Sequence, residues 1–327
     1  MARADILISL IKSAHSGDMV TFRRRAESLI AEEREKKHNI LADRLSAALN
    51  NGSKNGVAYR SNEKGFDLLF EVIPEKQIED LILDHRILKI CNEFTEEHHR
   101  VDLLRSYGVE PRNRILLAGP PGNGKTSLAE AIANSLMYPF FVVRYENIIG
   151  SFLGETATKL QKTFDYVKTR NCVLFFDEFD TIGKERGDTK ETGEIKRVVS
   201  SLLLQIDRLP SYVVVITASN HPELLDKAVW RRFQVRLNMD MPDKKNIKEY
   251  IDRFKSRTEV NFNYDVNKIA NKLIGYSFAE VEDFCVDILR RAVLEKKHEN
   301  AKSIVADKLK QLQVRFDINK VKQNKQD

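Results

Sequence analysis

Hydrophobic residues recur at different spacings in different parts of the chain, and the changes in spacing divide it into regions. Within residues 1–50 they recur every three or four positions, which predicts short amphipathic helices. Within residues 66–240 short apolar runs alternate with helical segments, as in a parallel α/β sheet. Within residues 241–313 the spacing is helical almost throughout. The pattern therefore predicts a helical N-terminal domain, a central α/β domain and a C-terminal helical region.

Polar stretches mark the boundaries between these regions. Residues 51–65 begin with polar and glycine residues and lack periodicity, so we interpret them as a linker. Pro242 lies at the junction between the α/β domain and the helical region, and Gly275 separates helices within that region. Residues 314–327 are charged and are expected to form a frayed tail.

The N-terminal helices could recognise a substrate or adaptor, or could serve only as a docking platform for the main domain.

Three of the predicted buried strands are followed directly by polar residues. The run Arg114–Ala118 precedes a glycine-rich loop, Val173–Phe176 precedes two acidic residues, and a third run beginning at Val213 ends at Asn220. In open parallel sheets, ligands bind beyond the carboxyl ends of the strands. We therefore expect these three polar groups to face one common site.

The glycine-rich loop has the sequence G-P-P-G-N-G-K-T and lies between a predicted strand and a predicted helix. This is the phosphate-binding pattern G-x-x-x-x-G-K-T in the context that the pattern requires. Its glycines let successive N–H groups point at phosphate oxygens, Lys125 adds a point charge, and Thr126 offers a hydroxyl to Mg²⁺. We expect the loop to bind ATP with Mg²⁺. The expected nucleotide-binding residues here are Gly119, Pro120, Pro121, Gly122, Asn123, Gly124, Lys125, Thr126 and Ser127.

The polar residues after the other two strands suit the remaining chemistry of phosphoryl transfer to water. Asp177 is suited to Mg²⁺, directly or through a bound water. Glu178 is suited to polarising a water molecule for attack on the γ-phosphate. Asn220 could orient that water, although an asparagine before His221-Pro222 could also simply form a turn.

Arg231 and Arg232 are adjacent at the end of a predicted helix. They could cap that helix or pair with acidic residues of the same chain. They could instead reach the γ-phosphate bound by a neighbouring subunit and stabilise charge in the transition state. The sequence pattern alone leaves both alternatives open.

Amino-acid composition and net charge indicate the cellular compartment and the kinds of partner to expect. The 327 residues are 42% hydrophobic and 31% charged, which is typical of a soluble globular protein. The three cysteines are far apart, without a zinc or disulfide pattern, and no apolar run is long enough to span a membrane. We therefore expect a cytoplasmic protein without a membrane span. The net charge of +6 permits nucleic acid as a partner but does not require it.

Taken in order, these motifs resemble those of the AAA family of ATPases. The loop 119–126 looks like the family's Walker A motif, and Leu174–Glu178 looks like its Walker B motif. Asn220 resembles sensor 1, and the paired arginines resemble the arginine fingers. Residues 275–281, with the sequence G-Y-S-F-A-E-V, match the family's G-x-S-x-A-[DE]-hydrophobic segment in the helical lid. The resemblance covers roughly residues 66–297.

This resemblance implies both a fold and an assembly. The fold would be a P-loop NTPase parallel sheet flanked by helices, followed by a small all-α lid. The assembly would be a homo-oligomeric ring, typically a hexamer, with ATP bound between subunits. Ala279 occupies a position where relatives outside the AAA branch proper carry a sensor 2 arginine, which favours that branch, and it is expected to contact the nucleotide. Asn123 replaces the usual threonine; its side chain could point away, and no loss of binding is expected.

The resemblance extends to a candidate substrate-gripping loop. Phe152, Leu153 and Gly154 look like the aromatic–hydrophobic–glycine pore loop of AAA protein unfoldases, although Phe152 could instead pack under a neighbouring loop. We therefore predict an ATP-hydrolysing protein remodeller: an unfoldase, a disassembly factor or a translocase. A nucleic-acid motor or loader, or a nucleotide-gated assembly scaffold, is the alternative.

Two narrower resemblances concern the N-terminal domain and a possible partner protease. The small N-terminal helical domain is similar in architecture to those of katanin- and spastin-like ATPases. The overall layout is similar to compact bacterial AAA ATPases that accompany subtilisin-like proteases. The chain has neither an H-E-x-x-H zinc motif nor a G-x-S-x-G serine motif, so any proteolysis would require a separate protease as partner.

Overall fold

A computed structural model describes residues 19–35, 68–143, 153–180, 201–297 and 299–311 of the chain. The chain forms two compact units, Met1–Arg60 and Ser61–Asp327. In the first unit the described residues form helix α1 (Met19–Glu35), on which Leu29 is buried. The other N-terminal helices that we predicted, the linker 51–65 and the tail 314–327 lie outside the described residues.

The second unit contains a six-stranded sheet. Its strands are β1 (Leu69–Val72), β2 (Arg114–Ala118), β3 (Phe140–Val143), β4 (Cys172–Phe176), β5 (Val213–Ser219) and β6 (Val235–Asn238). Their order is β1-β3-β4-β5-β2-β6, with β1 antiparallel to β3 and all other neighbours parallel. Strands β4 and β5 are buried along their whole length, as expected for parallel strands covered on both faces. The predicted α/β class is confirmed.

Helices cover both faces of this sheet. They are α2 (His85–His99), α3 (Val101–Ser106), α4 (Lys125–Leu136), α5 (Leu153–Val167) and α6 (Lys227–Arg232), with a helical segment at 201–207 and single 3₁₀ turns at Ile78–Asp80 and Pro222–Leu224. Side chains alternate between faces along each strand, so Leu116 packs into one core while Ile115 and Leu117 pack into the other. The two cores hold the sheet rigid between its helices.

The C-terminal helices form a separate core within the same unit. They are α7 (Lys244–Thr258), α8 (Val266–Lys272) and α9 (Phe278–Leu294), together with a helical segment at 302–311. Ile251, Phe262 and Ile288 are among the residues that pack together in this core. We call these helices the lid. The expected helical lid after the sheet is confirmed.

Side-chain caps determine where the lid helices begin. Asp243 accepts a hydrogen bond from the backbone N–H of Asn246 at the start of α7, and Asp265 accepts one from the N–H of Asn267 at the start of α8. At the start of α9, Ser277 and Glu280 form a reciprocal capping box.

None of the described helices combines the length and the apolar composition needed to cross a bilayer.

Candidate nucleotide site

The sheet topology brings the three polar strand ends together. Strand β5 lies between β2 and β4, with Ser219 paired to Ala118 and Thr217 paired to Phe176. Backbone hydrogen bonds then continue past the strand ends, because the N–H of Gly119 donates to Ser219 and the N–H of Phe179 donates to Ala218. The glycine-rich loop, the acidic pair and Asn220 therefore lie at one edge of the sheet.

Glycine is required at defined positions of the phosphate-binding loop, residues 119–126. Gly119, Gly122 and Gly124 all have positive φ angles, of 136°, 77° and 83°. A Cβ atom on Gly119 would lie 2.3 Å from the carbonyl oxygen of Met239, and one on Gly122 would lie 2.8 Å from Oγ of Ser277. The loop leads directly into α4, whose N-terminus adds further N–H groups for an anion.

Lys125 is almost entirely buried within this loop. Its Nζ donates hydrogen bonds to the carbonyl oxygens of Gly119 at 2.7 Å and Pro120 at 2.8 Å. Burial lowers the pKa of Lys125, while the nearby carboxylates of Asp177 and Asp180 raise it again. The loop therefore holds a cationic group where a phosphate would meet it.

Thr126 and Asp177 present oxygen atoms side by side. Oγ1 of Thr126 donates to Oδ2 of Asp177 at 3.1 Å, and Oδ1 of Asp177 accepts from the backbone N–H of Glu178 at 2.9 Å. A hydroxyl and a carboxylate are ligands of the kind that Mg²⁺ prefers, and Mg²⁺ in nucleotide sites takes few protein ligands besides phosphate oxygens and water. The donor set thus fits a magnesium–nucleotide complex.

Glu178 and Asn220 complete the polar edge of the sheet. Glu178 has a φ angle of 47°, a backbone conformation that non-glycine residues seldom adopt and that clusters at functional sites. The backbone N–H of Asn220 donates to Oδ1 of the buried Asp180 at 3.1 Å, which ties the end of β5 to the turn after β4. The two strand ends therefore hold each other in place.

A cavity of about 850 Å³ joins these groups to the lid. At its polar end it is lined by residues 121–127 of the loop and helix start, and by Asp177, Glu178 and Asn220. Its other end, which we call the apolar end, was not predicted from the sequence. The apolar residues around this end are Leu81, Ile82, Leu83, Tyr250, Phe254 and Phe278, and the same cavity is also lined by the charged residues Lys76, Asp80, Arg253, Arg257 and Glu282. Burial, followed by the charge of Glu282, raises the pKa of Tyr250, whose ring lies 6.1 Å from that of Phe278.

The segment after β1 is attached to the sheet domain through α4. The backbone N–H groups of Glu75 and Lys76 donate to Oε1 of Glu130 on α4. Nζ of Lys76 also donates to Oγ of Ser127 at 2.8 Å. These bonds hold the segment beside the helix that follows the phosphate-binding loop.

The same segment is attached to the lid. Arg253 of α7 donates to the carbonyl oxygen of Glu79 at 2.9 Å. Together with the bonds to α4, this contact positions Leu81–Leu83 against the cavity. In the sequence, this segment is marked by a short apolar run directly after an acidic residue, which does not by itself distinguish a binding surface from ordinary core.

The lid touches the phosphate-binding loop directly. The backbone N–H of Ala279 donates to the carbonyl oxygen of Gly122 at 2.9 Å. The side chain of Asn123, which we expected could point away without loss of binding, is buried and accepts a hydrogen bond from the N–H of Phe278 at 3.2 Å. Ala279 lines the cavity, and its expected contact with the nucleotide stays a prediction.

The two arginines do not line the cavity of their own chain. Nε of Arg232 donates to Oδ2 of Asp207 at 2.8 Å, and the same carboxylate accepts from Arg114. Arg231 is exposed at the end of α6. Pairing with an acidic residue, one of the two alternatives for these arginines, is therefore realised for Arg232.

The candidate pore loop is described only in part. Phe152 lies outside the described residues, and Leu153 and Gly154 form the beginning of α5. The role of these three residues stays a prediction.

A mostly parallel sheet with a phosphate-binding loop after β2, acidic residues after β4 and helices that line the same cavity defines a P-loop nucleoside triphosphatase. The model of the "ATPase family associated with various cellular activities (AAA)" matches residues 115–241. The "Uncharacterized AAA family ATPase y4kL" of Sinorhizobium fredii is 35% identical over 306 residues, covering 91% of each chain. The chain belongs to the AAA family and is an ATPase.

Two further relatives match over the ATPase region. The "Peroxisomal ATPase pex6" of Schizosaccharomyces pombe is 34% identical over 60% of this chain and 22% of its own length. The "Putative 26S proteasome regulatory subunit homolog" of Methanothermobacter thermautotrophicus is 31% identical over 60% of this chain and 53% of its own length. Because the match covers about half or less of these two proteins, their whole activities do not transfer to this chain.

Proposed function

We propose that this ATPase remodels proteins as a homo-oligomeric ring, typically a hexamer, with each ATP bound between two subunits. The observation that carries the proposal is the separation of the site's parts within one chain. Lys125, Thr126, Asp177, Glu178 and Asn220 line or border one cavity, whereas Arg231 and Arg232 lie outside it. Hydrolysis requires positive charge on the far side of the γ-phosphate, and a neighbouring copy would supply it.

Each residue has a distinct role in this proposal. The backbone N–H groups of residues 122–127 and the ammonium of Lys125 hold the phosphates. Thr126 and Asp177 would hold Mg²⁺, which neutralises charge on the phosphate oxygens when bound. Glu178 accepts a proton from the attacking water, and the Asn220 amide orients that water without competing for its proton.

The apolar end of the cavity suits the base of the nucleotide. Leu81–Leu83 supply apolar contacts from the sheet side, and Tyr250 and Phe278 supply aromatic ones from the lid. A base held there would bridge the two parts of the molecule. We infer that nucleotide binding and lid orientation are coupled for this reason.

Protein is the macromolecular substrate that we favour. One relative is named as a homologue of a proteasome regulatory subunit, and the sequence around Phe152 resembles an unfoldase pore loop. An exposed aromatic beside a glycine can grip a peptide without reading its sequence. The N-terminal residues 1–50 would then recognise a substrate or adaptor, a separate protease could act as partner, and the cytoplasm is the compartment we propose.

ATPase stimulation by two different polymers tests this choice of substrate. Permanently unfolded casein should stimulate the wild-type ATPase, and Phe152→Ala should abolish the stimulation while retaining the basal rate. Tyr107→Ala is the matched control, because Tyr107 is an exposed aromatic that does not line the cavity. Stimulation by double-stranded DNA that weakens with added salt, without a response to casein, would instead favour a nucleic-acid motor. Assembly with ATP but no response to either polymer would favour a scaffold.

A further inference from the structure

The first N–H groups of the lid helix α9 find acceptors both within the helix itself and on the phosphate-binding loop. In the capping box, the backbone N–H of Ser277 donates to the carboxylate of Glu280, and the backbone N–H of Glu280 donates to Oγ of Ser277. The N–H groups between them, those of Phe278 and Ala279, bond instead to Asn123 and Gly122 of the phosphate-binding loop. The start of a helix needs such external acceptors. For α9, the phosphate-binding loop supplies two of them.

Asn123 is the only side chain among the described residues of this loop for which a hydrogen bond to the lid is seen. It is 2% exposed, and its Oδ1 accepts from the N–H of Phe278. Its Nδ2 lies 3.2 Å from Sδ of Met241, a weak acceptor located just before α7. The Asn123 amide thereby contacts two parts of the chain, Met241 just before the lid and Phe278 at the start of α9.

Close packing makes the contact stiff. A Cβ atom on Gly122 would lie 2.8 Å from Oγ of Ser277 and 3.1 Å from Cβ of Ala279. The loop backbone at Gly122 and the first turn of α9 are therefore closely packed, so a displacement of the loop toward α9 would displace the helix as well. A change in the loop at Gly122–Asn123 must be passed to the start of α9.

We propose that Asn123 is a positioning residue that couples occupancy of the phosphate-binding loop to the orientation of the lid. The inference rests on the proposed nucleotide site. Phosphate binding fixes the N–H groups of the loop, and because the peptide units are planar, it fixes the direction of the Gly122 carbonyl as well. The Asn123 amide extends this constraint to Phe278. A short hydroxyl at the same position offers a single oxygen on a shorter arm, so it would transmit less.

Hydrogen–deuterium exchange at the start of α9 tests this coupling. In the full-length wild type, saturating ADP should slow exchange both in peptides of the phosphate-binding loop and in peptides spanning residues 276–284. In Asn123→Ala, ADP should still protect the loop, but the start of α9 should exchange about fivefold faster than in the wild type, as expected for one lost hydrogen bond. Asn123→Thr should give an intermediate rate, and it carries the test if the alanine variant does not fold.

Two further variants separate the possible explanations. Met241→Leu removes the weak sulfur acceptor but leaves the bond to Phe278, so protection at 276–284 should stay near that of the wild type. At an ADP concentration that just saturates the wild type, Lys125→Ala should show less ADP protection in both peptides. Equal protection at 276–284 in Asn123→Ala and the wild type, with ADP bound to both, would overturn the role of Asn123 alone. An absence of ADP protection in the wild type would overturn the nucleotide site and the coupling together.

Discussion

At the scale of single residues, the site depends on a charged side chain in a buried position, where a charge without compensating partners would be destabilising. Lys125 is 6% exposed and has two carbonyl oxygens and two nearby carboxylates to compensate for its burial. Thr126, the residue after Lys125, is in hydrogen-bond contact with Asp177. Anions of high charge, such as a nucleotide polyphosphate, fit a site of this kind.

Replacing Lys125 by alanine should weaken ADP binding by about ten- to a hundredfold, since hydrogen bonds to charged groups contribute more than neutral ones. Isothermal titration calorimetry measures the change. Lys89→Ala is the control, because Lys89 is an exposed lysine paired with Glu93 outside the cavity. Unchanged ADP affinity in Lys125→Ala would contradict the assigned role.

The positions of three polar residues at one edge of the sheet could be predicted from the sequence because each lies at the end of an apolar strand, whereas their catalytic roles stay predictions. Asp177, Glu178 and Asn220 come directly after β4 or β5, and parallel strands bring such ends together. The direction of the Asn123 side chain could not be predicted, because it depends on a lid segment that lies 155 residues further along the chain. The pairing of Arg232 with Asp207 likewise depends on packing between distant helices.

At the scale of elements, the lid and the sheet domain meet at both ends of the cavity. At the polar end the start of α9 contacts the phosphate-binding loop, and at the apolar end Arg253 of α7 contacts the segment after β1. The α/β class of the central domain and the helical character of the lid followed from the hydrophobic pattern. The apolar end did not, because Leu81–Leu83 and Tyr250 come from segments far apart in sequence and are joined only by the tertiary fold.

Arg253→Ala should release α7 from the segment after β1 and weaken ADP binding by about three- to tenfold, the range expected for one or two lost hydrogen bonds. Fluorescence titration with a labelled ADP measures the affinity. Arg290→Ala is the matched control, since Arg290 is an exposed lid arginine paired with Asp287. An equal loss of affinity in both variants would indicate general damage to the lid instead.

Helix α2 is held by a histidine whose protonation should make stability depend on pH. Nε2 of His98 donates to the carbonyl oxygen of Arg112 at 2.8 Å. Burial lowers the pKa of His98 below its ordinary value of 6.5, with the charge of His99 adding to this effect while the Arg112 contact and the charge of Glu97 oppose it.

The unfolded chain therefore binds a proton at His98 before the folded chain does as the pH falls. The stabilising contribution should be fully present above about pH 6.5 and should be lost as the pH falls from there toward the lower pKa of the folded state. Urea unfolding at pH 7.5 and at pH 5.5 measures this loss. His98→Gln should lose less stability over that interval than the wild type, and an equal loss in both would exclude His98 as the cause.

At the scale of the whole molecule, Arg231 and Arg232, which we propose stabilise the transition state, lie outside the cavity that is lined by the phosphate-binding loop, Asp177 and Glu178. Glu178 borders the cavity, whereas Arg231 is exposed elsewhere and Arg232 is paired with Asp207. Under the proposed function, a heterologous contact with a neighbouring copy would complete this site, and such contacts form a ring when the rotation between copies closes. The ATPase would then require a neighbouring copy.

Mixing two inactive variants tests this claim most directly. Glu178→Gln should bind ATP but hydrolyse it about a hundredfold more slowly or worse, because the general base is lost. The double variant Arg231→Ala with Arg232→Ala should lose about a thousandfold, as expected for arginines that stabilise the transition state in trans.

In rings assembled from equal amounts of both variants, about one quarter of the interfaces should join an intact Glu178 to intact arginines, because each interface draws on two neighbours. If the site is divided between subunits, the ATPase rate of mixed rings, verified by native mass spectrometry, will rise at least about tenfold above the mean of the separate preparations. A rate in verified mixed rings equal to that mean would contradict catalysis between neighbouring copies.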